Sequence, residues 1–116
     1  MNTKHIILAL FLLLAFCNFL PSASAADLTT LEKEVVALAE SEPENAPDYF
    51  MQQIELHPAP DIEVQAVYLY GIGLAYERLG DMIEALDHYR GAELFGHQGA
   101  AAALTRLNRK PFPRPE

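Results

Sequence analysis

The sequence predicts an all-α protein, five helices following an N-terminal leader. Three observations carry that expectation. Apolar residues recur at intervals of three and four along successive stretches, the spacing of a helix face. Helix-starting residues stand ahead of those stretches at Thr29, Asp61 and Asp81. Prolines and glycines, at Pro43, Pro47, Pro58, Pro60, Gly80 and Gly96, divide one stretch from the next. No segment shows the apolar–polar alternation of a strand.

The leader comes first. Lys4 and the α-amino group supply positive charge, Ile6 to Leu20 is apolar apart from Asn18, and Ala23-Ser24-Ala25 closes the run with small residues. That order is a secretory signal peptide spanning residues 1–25. The apolar run is shorter than the ~20 residues that cross a bilayer as a helix, so no anchor is expected once the leader is cut. Phe16 precedes Cys17 where a lipoprotein site needs a small residue, so lipidation is not expected. Cleavage after Ala25 removes Cys17, and the mature fold has to stand without disulfides in an oxidising compartment.

All sixteen acidic residues lie after that cut, and Lys4 before it, leaving seven basic side chains to face sixteen acids. Such a surface repels phosphate backbones, which argues against nucleic acid as a partner. Residues 26–110 form one small helical domain, and 111–116 a proline-alternating tail.

The elements follow in order. Thr29 and Glu32 have capping-box spacing, and Leu28, Leu31, Val35 and Leu38 carry a first helix to about Glu42. A short second helix, about Pro47–His57, presents Tyr49, Phe50 and Ile54. The third and longest runs from Asp61 to Leu79. Gly80 stops it, Asp81 caps the next, and Glu84 completes that box. The fourth, Met82–Phe95, presents Ile83, Leu86, Tyr89 and Ala92 or Glu93 in turn and ends at Gly96. An alanine-rich fifth spans about Gln98–Asn108 with Leu104 and Leu107.

Inside the third helix lies Gly71-Ile72-Gly73, a fragment of the type found in phosphate-binding loops. A dinucleotide loop needs a third glycine where Tyr76 stands, and a strand where "VQAVYLY" reads as helix. The glycines therefore read as packing devices. Leu69, Ile72, Gly73, Tyr76, Gly80, Ala85, Tyr89 and Ala92 fall on facing sides of two helices joined by a tight turn. Small residues at Gly73, Ala85 and Ala92 let the axes approach, with Tyr76 and Tyr89 filling the space beside them.

That arrangement resembles a tetratricopeptide repeat spanning Ala66–Gly99, 34 residues long, the period of that unit. Leu69 replaces the family's early aromatic residue and His97 its closing proline. "GAELFGHQGAAAAL" also resembles the end of a Sel-like repeat, a family common in exported bacterial proteins. The extra turn residues of that family are missing after Leu79, so the tetratricopeptide likeness is the nearer. Leu31–Ile54 reads as a degenerate first unit, and the flanking helices as caps.

The resemblance implies a groove lined by the first helix of the repeat, here by Val67, Tyr70, Leu74, Glu77 and Arg78. The competing reading covers Val67, Tyr70 and Leu74 with the first two helices as plain core. By the same resemblance the protein acts by protein–protein interaction in a Gram-negative periplasm, or as a secreted protein. It would bind a peptide or partner helix, preferably a basic one. A self-associating envelope subunit is the alternative.

Catalysis finds little footing. Glu84 and His88 sit four residues apart on one helix face but have no second ligand pair, and His57 and His97 lie elsewhere. His88 reads as a surface-pairing residue and His97 as a C-terminal cap of the fourth helix. Ser41 has no base near it in sequence, and the carboxylates read as solvated helix faces. Neither a cofactor nor an enzymatic role is expected.

Overall fold

A computed structural model of the protein describes residues 25–56 and 61–108. The leader before Ala25, His57 and the tail from Arg109 lie outside the described residues. Those described form five helices: α1 Ala25–Ser41, α2 Ala46–Leu56, α3 Ile62–Leu79, α4 Met82–Leu94 and α5 Gln98–Asn108. No strand occurs among them.

Helix α1 begins one turn earlier than Thr29, which lies inside it, so the expected capping box does not form there. Its inward face is Val35 and Ala39, flanked by Leu28, Leu31 and Leu38. After Ser41 the chain turns on Glu42, whose carbonyl accepts from the amides of both Asn45 and Ala46. Pro47 then sits in the first turn of α2, where its missing N–H costs no helical bond. Phe50 of α2 is fully buried, whereas its neighbour Tyr49 is half exposed, because adjacent helix positions cannot face the same way.

Helix α3 is the spine. One side joins α1 and α2 around Val35, Phe50, Val67, Tyr68, Ile72 and Ala75. The other meets α4 and α5, where Leu69, Tyr70, Leu74 and Tyr76 pack on Ala85, Tyr89, Ala92 and Leu104. Ile72 thus belongs to the α1/α2 side rather than to the α3–α4 seam expected for it. Ile83, expected in series with Leu86 and Tyr89, does not join the buried face of α4: it is 81% exposed.

The two glycines of "GIG" serve opposite faces of α3. A Cβ at Gly71 would collide with Val35 and come within 2.8 Å of the Phe50 ring. One at Gly73 would stand 2.5–2.6 Å from the Tyr89 ring. The seam expected from Gly73, Ala85, Tyr89 and Ala92 is therefore in place. The matching role of Gly71 is additional.

Both turns around α4 are built alike. Gly80 and Gly96 take left-handed conformations, φ 82° and 90°, which glycine adopts without a Cβ penalty. At each, the glycine N–H and the next N–H return to the preceding helix: Gly80 to Glu77 and Asp81 to Tyr76, Gly96 to Glu93 and His97 to Ala92. This paired closure satisfies carbonyls that a helix end otherwise leaves open. The Asp81 side chain then accepts from the Glu84 amide. The reciprocal half of that capping box is absent, because the Asp81 N–H is already committed to Tyr76 and the Glu84 carboxylate lies towards His88.

Replacing Gly73 with alanine should lower stability despite alanine's helix preference. The propensity gain is about 1 kcal/mol, and driving a methyl into a fixed aromatic ring costs roughly 1–3 kcal/mol. Urea denaturation checks it: a midpoint unchanged or raised would mean that the Tyr89 ring yields freely.

Candidate binding groove

The edge of α3 left open between its two cores is a trough. The outer face of α1 forms one wall, through Glu32, Lys33, Val36, Ala37 and Glu40, and Gln98 and Gly99 of α5 form the other. Tyr70 is its floor. The opening encloses about 680 Å³. It continues into a smaller cleft of about 270 Å³ between the start of α1, the start of α3 and the α4–α5 turn.

His97 organises this junction. It follows Gly96 and occupies the N-cap position of α5, where its Nδ1 accepts from the Ala100 amide at 3.0 Å. An imidazole nitrogen that accepts a backbone N–H carries no proton, so the ring proton sits on Nε2. That nitrogen lies 2.5 Å from Glu32 Oε1 and donates to it, joining the α4–α5 turn to α1. The ring also stacks on Tyr70, centroids 4.4 Å apart and planes inclined 25°. The expected role was capping the end of α4; the side chain caps the start of α5 instead, and only its backbone N–H closes α4.

A second polar knot lies further along α3. Arg106 grips Glu77 with both terminal nitrogens, Nη1 to Oε2 at 2.9 Å and Nη2 to Oε1 at 2.8 Å. The Tyr89 hydroxyl donates to Oε1 at 2.7 Å. Forked geometry of this kind is both strong and directional, and here it ties α5 and α4 to α3. The carboxylate bonds hold the Arg106 guanidinium above its usual range. Burial first, and the Glu77 carboxylate second, push the Tyr89 hydroxyl far above the ordinary tyrosine value. Tyr70 is raised by burial and then by Glu32, and Tyr68 and Tyr76 are raised chiefly by burial.

The five residues expected to line the groove are thus divided by the structure. Val67, 5% exposed, belongs to the α1/α2 core yet borders the smaller cleft. Tyr70 faces the trough. Leu74 packs between the two cores. Glu77 is held by Tyr89 and Arg106. Arg78 is exposed and pairs with Glu40 at 3.2 Å, pinning the end of α3 to α1.

Sequence reasoning missed His97 with Glu32 and Glu77 with Arg106, both of which join residues far apart in the chain. A lone histidine directly before an alanine helix was the one local sign of the first. His88 donates from Nδ1 to the Glu84 carbonyl at 2.8 Å and stacks on Tyr76. Among the described residues no three His, Cys, Asp or Glu side chains gather where a metal could be held. Nor, among them, is any helix long and apolar enough to cross a membrane. Ser41 donates to the Leu38 carbonyl at the end of α1. No model of a known protein family matches the chain, and none of the curated proteins or solved structures matches it.

The raised tyrosines set an alkaline limit. A group whose folded pKa exceeds its unfolded value of 10.0 leaves stability untouched below that value. Above it the unfolded chain sheds the proton first and stability falls as pH rises. Stability measured from pH 9 upward should decline above about pH 10, and Tyr89→Phe should flatten the decline. An equally steep fall in the variant would assign it to other groups.

Proposed function

We propose that this chain is a non-catalytic, tetratricopeptide-like interaction module, exported to the periplasm, that takes an extended peptide or partner helix in the trough between α1 and α5. The observation that carries the proposal is the trough itself. It has an aromatic floor at Tyr70 and apolar wall at Val36 and Ala37, and Glu32, Lys33 and Glu40 stand along its rim, Glu40 paired with Arg78. Such a surface offers stacking and packing to a ligand, and the acidic balance of the whole chain favours basic partners. The antiparallel α3–α4 pair, closed at Gly73 and turned at Gly80, supports the repeat likeness by its spacing. The leader pattern supports export.

A second reading, self-association, is favoured by Ile83 and Leu94, which stand 81% and 85% exposed on the outer stripe of α4. Sedimentation over a range of concentrations separates the two: the trough binder stays monomeric alone, and the self-associating subunit does not.

The trough reading is tested by Ala37→Trp, which places a ring into the opening from an exposed helix position without touching either core. A panel of basic peptides titrated against both proteins should bind the native chain and lose about tenfold or more in affinity to the variant, a change of ~1.4 kcal/mol. Equal binding by both would remove the trough from the function.

A further inference from the structure

The smaller cleft beside His97 has a more definite chemistry than the trough it opens from. Leu28, Ala66, Val67 and Phe95 give it apolar walls, while Glu32 of α1 and Glu63 of α3 put carboxylates at its edge. At about 270 Å³ it is smaller than the pockets that enclose whole drug-sized ligands, and fits one long side chain.

His97 bears on the charge of that cleft. Because its Nδ1 is occupied by the Ala100 amide, the ring bonds Glu32 as a neutral donor. It orients the carboxylate without cancelling its negative charge, and the contact is made at Oε1. The imidazole is itself only 10% exposed, so the clasp is held rigidly between Tyr70 and α5. Glu63, in the first turn of α3, is exposed at the opposite lip.

We infer that this cleft is the seat for an arginine or lysine side chain of the partner polypeptide. The methylene stem lies along Leu28 and Val67, and the cationic head reaches Glu32 and Glu63. Long basic side chains are amphipathic in this sense, with a stem that packs on apolar surface while the charge stays near water. The inference rests on the trough reading above and specifies the chemistry of its partner. It also sets direction: a chain anchored here and continuing over Tyr70 runs along α1 towards Glu40.

The test uses the exported form, Ala26–Glu116, titrated by nuclear magnetic resonance with N-acetyl-arginine amide, N-acetyl-lysine amide and the neutral isostere N-acetyl-citrulline amide. Expected are saturable shifts centred on the Gly96 and Gly99 amides, with the two cations binding roughly fivefold tighter than citrulline, as two partly exposed ion pairs allow. Glu63→Gln, at an exposed position, should reduce that preference, and Asp87→Asn on the outer face of α4 should leave it intact. Equal binding of arginine and citrulline, full preference in Glu63→Gln, or shifts centred elsewhere would overturn the seat. If the seat fails while Ala37→Trp still blocks a peptide, the trough reading stands without it. If the cations bind here and no peptide is affected by Ala37→Trp, the trough reading falls alone.

Discussion

A single eighteen-residue helix, α3, has to bury two opposite faces at once. Ordinary side chains on both would hold neighbouring axes 8–10 Å away and leave gaps that a chain this short has no spare residues to fill. Gly71 and Gly73 remove bulk on either side, one opening space for Val35 and Phe50, the other for Tyr89. Phe50 and Tyr89 are among the largest fully buried side chains in the protein. The loss of about 1 kcal/mol per helical glycine is offset by aromatic rings that each cover some 150–250 Å². Every later feature, the trough included, depends on those two close approaches.

With α3 fixed, polar contacts decide how the outer helices hang on it. Helix α5 is rich in alanine and has only Leu104 and Leu107 as large buried residues, so its apolar grip is slight. The forked Arg106–Glu77 pair and the His97–Glu32 clasp supplement it at its two ends. Both are partly open to solvent, so their value is more in orientation than in free energy. They keep α5 at a set distance from α1, and the trough is the space between. Two of the groups that could have met a ligand, Glu77 and Arg78, are used in this way as struts.

How much of this could be read in advance follows from the range of each interaction. The helices from α2 onward end within a residue or so of their expected limits, because prolines, left-handed glycines and the Asp81 cap are local signals. The start of α1 escaped, since Ser24, a cap-type residue three before Asp27, reads as part of the leader. Ile83 shows the limit of counting in threes: nine residues before the buried Ala92 it lies half a turn round α4, on the same stripe as the exposed Leu94, and meets solvent. The seam at Gly73 was legible as small residues opposite aromatic ones, whereas Gly71 makes sense only once Phe50 of a different helix is beside it. The candidate site was legible in part. Tyr70 was placed at the groove, but its walls come from α1 and α5, and a face read from α3 alone cannot show which side chains cross over to hold it.

The matched joints at Gly80 and Gly96 have a final consequence. Each returns two backbone amides to the helix it ends, and the side chain that follows accepts an amide of the helix it begins. Corners saturated in this manner have little slack, so the spacing between α3, α4 and α5 is set by the chain itself. On the proposed reading a docking polypeptide would meet joints already ordered, and most of the entropy surrendered there would be the visitor's own.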